Sequence, residues 1–119
     1  MKCNKEFMLF ARELEAKLMV ASGPLTARDL RAMSWKTIQK FDRCLVCQAV
    51  HWLRQKGVAV ASGQRGYEIV QRGIELDDTL RDLLRRDEGL HEDIRNVRNI
   101  RRVLYEQEKA LASLFEQQS

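Results

Sequence analysis

Nine side chains in the middle of the chain carry its clearest chemical pattern. Lys36, Lys40, Arg43, Cys47 and Arg54 recur at intervals that place them along one side of a helix, with Gln48 and His51 at its border. Gln64 and Arg65 follow in a glycine-flanked turn, Ser62-Gly63-Gln64-Arg65-Gly66. Ammonium and guanidinium groups attract phosphate, and Arg, Gln and His also supply the donors and acceptors that match base edges. On that division Arg43, Gln48 and His51 suit bases in a major groove. Lys36, Lys40 and Arg54 suit phosphates, and Arg65 suits the backbone or a minor groove. The chemistry implied is recognition of a polyanion, double-stranded DNA above all.

Other chemistries have weaker patterns. Cys44, Cys47 and His51 fall at i, i+3 and i+7 along one helix side, and Cys3 or His91 could complete a zinc set. A structural zinc usually joins separate elements, however, and no second ligand pair follows. The Cys44-x-x-Cys47 spacing also occurs in redox motifs, but their Gly/Pro context is missing. These residues read first as packing or groove-facing groups, with thiol sensing and zinc as alternatives. There is no phosphate loop, zinc-protease motif or nucleophile elbow, so no enzyme, metal or cofactor is expected. Asp77-Asp78 and Asp87-Glu88 read as surface charge, the former favouring a helix start. No small-molecule effector can be read from the residues.

The elements that would position the basic set follow from periodicity. Phe7, Phe10, Ala11, Leu14 and Leu18 form one apolar stripe, predicting a helix over 5–21 that Ser22-Gly23-Pro24 stops. Leu25 could make a minimal strand. Thr26 is a good N-cap, with Asp29 three residues on, for a helix of about two turns that turns Ala27, Leu30 and Met33 inward. The next helix is expected from about Trp35 to Lys56, although Asp42 could cap a later start. Ile38, Phe41, Leu45, Ala49, Trp52 and Leu53 share its inner side, extended by Val46 and Val50. Phe7, Phe10, Trp35 and Trp52 read as core rather than as a stacking platform. Gly57 closes the helix. Val58–Ala61 and Tyr67–Val70 then read as paired strands around the Gly-containing turn.

A helix feeding directly into a hairpin is the back half of a winged helix-turn-helix. VCQAVHWLRQKGVA resembles the recognition-helix exit of MarR- and PadR-type regulators. Tyr67-x-Ile69-x-x-x-Gly73-x-x-Leu76 resembles their second wing strand and the helix after it. Val70 stands where those families usually have Thr. The distance from Leu25 to Val46 is roughly five residues longer than a compact helix-turn-helix needs. The resemblance spans residues 25–76 and implies a mainly α fold with a small β-hairpin. It further implies a bacterial or phage transcriptional regulator that acts by occupying a site.

After Gly73 the chain reads as helix to near its end. Leu76, Leu83, Leu90, Val97, Leu104 and Leu111 are spaced by seven throughout. The companion positions are Leu80, Asp87, Ile94, Arg101, Glu108 and Phe115, while Gly89 lies outside the seam and could mark a bend. An antiparallel pairing centred near Ile94 would bring Asp87 of one copy towards Arg101 of another, avoiding like charges. Residues 1–73 are thus expected to form the DNA-binding domain, and residues 74–119 a helical segment that makes a homodimer through this seam. The alternatives are a segment folded back on its own domain, or an adaptor gripping another protein.

Composition bounds these readings. At 119 residues, 45% apolar and 32% charged, the chain suits one globular domain with at most an appendage. The net charge is +1 over residues 1–25, +6 over 26–72 and −3 over 73–119, so the positive charge is concentrated where nucleic acid is expected. No run approaches the ~20 apolar residues of a membrane span, and the first residues carry charges unlike a secretory signal. Three cysteines make no disulfide framework, and a reducing cytoplasm is the expected setting.

Overall fold

A computed structural model describes residues 5–86 and 91–118, leaving aside the side chains of 86, 91 and 115–118. Cys3, Asp87, Glu88, Gly89, Leu90 and the side chains of His91 and Phe115 lie outside that description. The fold is mainly helical, with one small antiparallel hairpin.

Helix α1 (Lys5–Val20) buries the stripe its periodicity predicts, Phe7, Phe10, Ala11, Leu14 and Leu18. Leu25 then pairs with Tyr67 in an isolated antiparallel bridge, each amide donating to the other's carbonyl at 2.8 Å. Helix α2 (Ala27–Arg31) starts in a reciprocal cap. Thr26 Oγ1 accepts from the Asp29 amide at 3.1 Å, and Asp29 Oδ2 accepts from the Thr26 amide at 2.9 Å. It is shorter than the two turns expected.

The long helix predicted from Trp35 begins only at Arg43. Helix α3 spans Arg43–Gln55, and residues 32–42 run without helix. Competing hydrogen bonds give the physical reason. The Glu13 carboxylate of α1 accepts from the Lys36 amide at 2.9 Å, and from the Thr37 amide and hydroxyl at 3.0 and 2.6 Å. Trp35 Nε1 donates to Leu30 O at 2.8 Å. Trp35, Ile38 and Phe41 still reach the core, as separate half-buried anchors rather than as one stripe.

Two strands follow α3, β1 (Val60–Gly63) and β2 (Gly66–Ile69), in register from Val60↔Ile69 to Gly63↔Gly66. The first starts later than its β-favouring residues suggest because the Val58 amide closes α3, donating to Leu53 O at 3.0 Å. Gly66 has φ +112°, and a Cβ there would collide with the backbone of Leu25. That glycine is what lets the hairpin lie against the α1–α2 junction.

A 3-10 turn (Gly73–Leu76) leads into α4 (Asp77–Arg86), and α5 (His91–Gln118) returns alongside. Arg101 Nε donates to Asp77 Oδ1 at 2.6 Å, and Glu108 Oε1 accepts from the Gly73 amide at 3.0 Å. These contacts set the two helices antiparallel. Among the described residues the buried apolar side chains form two clusters. One joins α1, Leu30, α3 and Val60. The other joins Ala59 and Val70 of the hairpin with Leu76, Leu80, Leu83, Val97 and Ile100.

Candidate nucleic-acid interface

Helix α3 and the hairpin hold the sequence-predicted residues, and both ends of α3 are fixed locally. Asp42 caps its start, Oδ1 accepting from the Cys44 amide at 2.9 Å. Gly57, at φ +88°, ends it in the left-handed conformation that most side chains resist. Val46, Ala49, Val50 and Leu53 bury the inner side against α1. That burial fixes the rotation of the helix and turns Arg43, Cys44, Cys47 and Gln48 to solvent.

These four residues make up the N-terminal half of the outer face. A groove of about 750 Å³ runs beside them, walled by Arg43, Cys47 and Gln48 on one side and by Gln64, Gly66 and Tyr67 on the other, and it continues past His51 and Gln55 to end at Arg54 and Asp93. Cys47 Sγ lies 3.7 Å from the Tyr67 hydroxyl. Burial pushes the Tyr67 phenol above its ordinary range, and the hydrogen bond with Cys47 pushes it further. The phenol thus stays protonated and able to donate near neutral pH. Gln64 and Arg65 form the exposed two-residue tip between β1 and β2. Arg28, exposed on α2 beside groove residues Thr26 and Ala27, is a further cation that sequence reasoning missed.

Comparison of the chain with protein-family models, with curated proteins and with solved structures finds no match. The site is therefore read from its own geometry.

The C-terminal half of α3 has a different fate. Arg54 is a correction to its expected role at a phosphate, for its side chain is only 3% exposed. Its Nε donates to Val60 O at 3.0 Å, one terminal nitrogen to Asp93 Oδ2 at 2.7 Å and the other to Ser62 Oγ at 3.0 Å. Asp93 Oδ1 lies 3.4 Å from His51 Nδ1. Gln55 Nε2 donates to Glu92 Oε1 at 2.6 Å and lies 3.2 Å from His51 Nε2. The first turn of α5 thus sets two carboxylates beside this half, enclosing Arg54 and leaving His51 and Gln55 partly open. Neither Glu92 nor Asp93 had a signal in the periodicity of α3.

Lys36 and Lys40 are exposed but leave the helix face, because they stand in the connection before α3. Cys44 and Cys47 are free and exposed, and among the described residues no three His, Cys, Asp or Glu side chains gather as a metal site. Phe7, Phe10 and Trp52 are buried and Trp35 is half-buried, all in the first cluster. Among the described residues no helix is long and apolar enough to cross a membrane.

The leucine seam is also placed differently from its expectation. Leu76, Leu83 and Val97 are buried in the chain's own second cluster, with Ile94 and Leu104 half-buried against it. Within the chain these residues close an antiparallel helix contact, as the fold-back alternative expects, and Arg101 pairs with Asp77. Leu111 is open at 56% exposure, as is Leu114. Leu90 lies outside the described residues.

Proposed function

We propose that the chain is a winged helix-turn-helix protein that binds double-stranded DNA, most simply as a MarR- or PadR-like transcriptional regulator, and that it acts by site occupancy without chemistry. The observation that carries this proposal is the open N-terminal half of α3 standing beside the hairpin across one groove. Recognition helices of this motif present their N-terminal residues to base edges. Arg43 and Gln48 can donate to bases there, while Arg65 and Arg28 lie outward for phosphates. The order α1, single bridge, α2, α3, hairpin, with Leu25 laid on the second strand, also supports a winged helix.

One winged helix reads few base pairs, so a homodimer spanning two half-sites is part of the proposal. Its contact would use the distal turns of α5, the part of the expected seam where Leu111, with Leu114 beside it, remains uncovered. The same two residues favour a second reading, an adaptor that docks another protein through α5. Anisotropy with a random-sequence duplex pool, followed by selection and a salt titration, tests the first reading. Binding that falls steeply with salt and enriches one sequence is expected. Absence of binding at low salt, with stoichiometric co-purification of a protein, would favour the adaptor. Sedimentation at micromolar concentration should give a dimer that Leu111→Lys dissociates; a monomeric unaltered chain removes the dimer.

A further inference from the structure

Resting on the DNA-binding proposal, we propose that the first turn of α5 is a fixed anionic boundary that confines a bound duplex to the N-terminal half of α3 and the hairpin tip. His51, Arg54 and Gln55 then anchor the boundary instead of contacting DNA.

Glu92 and Asp93 stand beside α3 at His51, Arg54 and Gln55, the residues that follow Gln48 on its outer side. Glu92 engages Gln55, and its other oxygen lies 3.9 Å from His51 Nε2. Asp93 engages Arg54 from a side chain that is 10% exposed. A phosphate brought over this half would meet one well-exposed carboxylate, Glu92, at 60% side-chain exposure. Arg54 offers it no guanidinium, being buried among its own partners.

The turn is not a lid. Lifting it would strip Asp93 from Arg54 and leave that cation buried without its counter-charge. It would also pull Val97 and Ile100 from the second cluster, and α4 is itself pinned to the hairpin by Thr79. That hydroxyl accepts from the Ser62 amide at 2.9 Å and donates to Ser62 O at 3.1 Å. The carboxylates therefore stay in place when a duplex arrives. Repulsion from a fixed carboxylate operates over about a Debye length, ~8 Å at physiological salt, and disfavours a phosphate over the last turns of α3 by a few-fold. Such a boundary contributes specificity by penalising wrong registers rather than by rewarding the right one.

The test measures affinity for the selected duplex and for an unrelated one, with thermal melting alongside. Arg43→Ala and Gln48→Ala should each weaken selected-duplex binding about ten-fold. His51→Ala and Gln55→Ala should change it by less than about three-fold. Glu92→Gln, an exposed substitution that keeps the fold, should raise affinity for the unrelated duplex about three-fold. Glu75→Gln serves as the control and should leave affinity unchanged, since Glu75 is exposed in the 3-10 turn whose Gly73 packs on Tyr105, ~20 Å along α5 from Glu92. The boundary is overturned if His51→Ala or Gln55→Ala, still folded, weakens binding as Gln48→Ala does. It is equally overturned if Glu92→Gln and Glu75→Gln behave alike. An unaltered chain that binds no duplex removes the DNA-binding proposal and this one with it, an outcome distinct from the other two.

Discussion

The two halves of α3 share one helix, one buried side and the same kind of polar residues, yet they meet different surroundings. Arg43, Cys47 and Gln48 face a groove and solvent. His51, Arg54 and Gln55 border the far end of the same groove, where the first turn of α5 engages them. Arg43 and Arg54 make the contrast sharpest. Both are arginines on the non-core side of the pattern, but the first is exposed and the second is enclosed by Val60, Ser62 and Asp93. A basic stripe on a helix is therefore a statement about potential. What each cation does depends on which distant segment reaches it first.

The largest expected effect attacks the closed half. Asp93→Ala removes the counter-charge of a buried guanidinium and should cost about 3–5 kcal/mol in urea unfolding. A cost near zero would mean that the closed half is held by packing alone. Next is the hairpin that borders the open half. Gly66→Ala forces a side chain into positive φ and against the Leu25 backbone, and should cost about 3 kcal/mol by the same measurement. Arg43→Ala tests the open half directly. It should leave stability within about 0.5 kcal/mol while DNA affinity falls about ten-fold. A large stability loss would place Arg43 in the same class as Arg54.

The smallest effect concerns the approach to the open half. Burial raises the Glu13 carboxyl, but hydrogen bonds from the Thr37 hydroxyl and the Lys36 and Thr37 amides, with Lys17 nearby, outweigh it and leave the group below its ordinary value. A lowered carboxylate stabilises the fold above its unfolded value and loses that contribution as pH falls through its folded one. The unaltered chain should therefore lose more stability than Glu13→Gln between about pH 5 and about pH 3. Parallel curves would show that the connection before α3 is not held through this carboxylate.

Local features were legible in the sequence. The α1 stripe, the Thr26–Asp29 cap, Gly57 and the hairpin all follow from residues within a few positions of one another. So did the minimal strand at Leu25, because Ser22-Gly23-Pro24 forces the chain to restart there. The start of α3 was legible only as an alternative, through the capping residue Asp42, since nothing local shows that Glu13 captures amides 23 and 24 residues away. The burial of Arg54 was not legible, for its partner stands 39 residues downstream. The heptad spacing of the last third correctly marked apolar helical faces. Spacing alone does not say whether two such faces close on each other or on a second molecule, and here Gly73, pressed against the Tyr105 ring, allows the closer approach.

Arg54 stands on α3 and, with one planar group, touches β1 at Val60 and Ser62 and α5 at Asp93. A group that belongs to three elements cannot lose one of them without being left charged in a poor solvent. The two apolar clusters are consequently joined by an electrostatic rivet as well as by chain connectivity. Loosening of either should propagate to the other, so the whole polypeptide is built to melt as one cooperative unit.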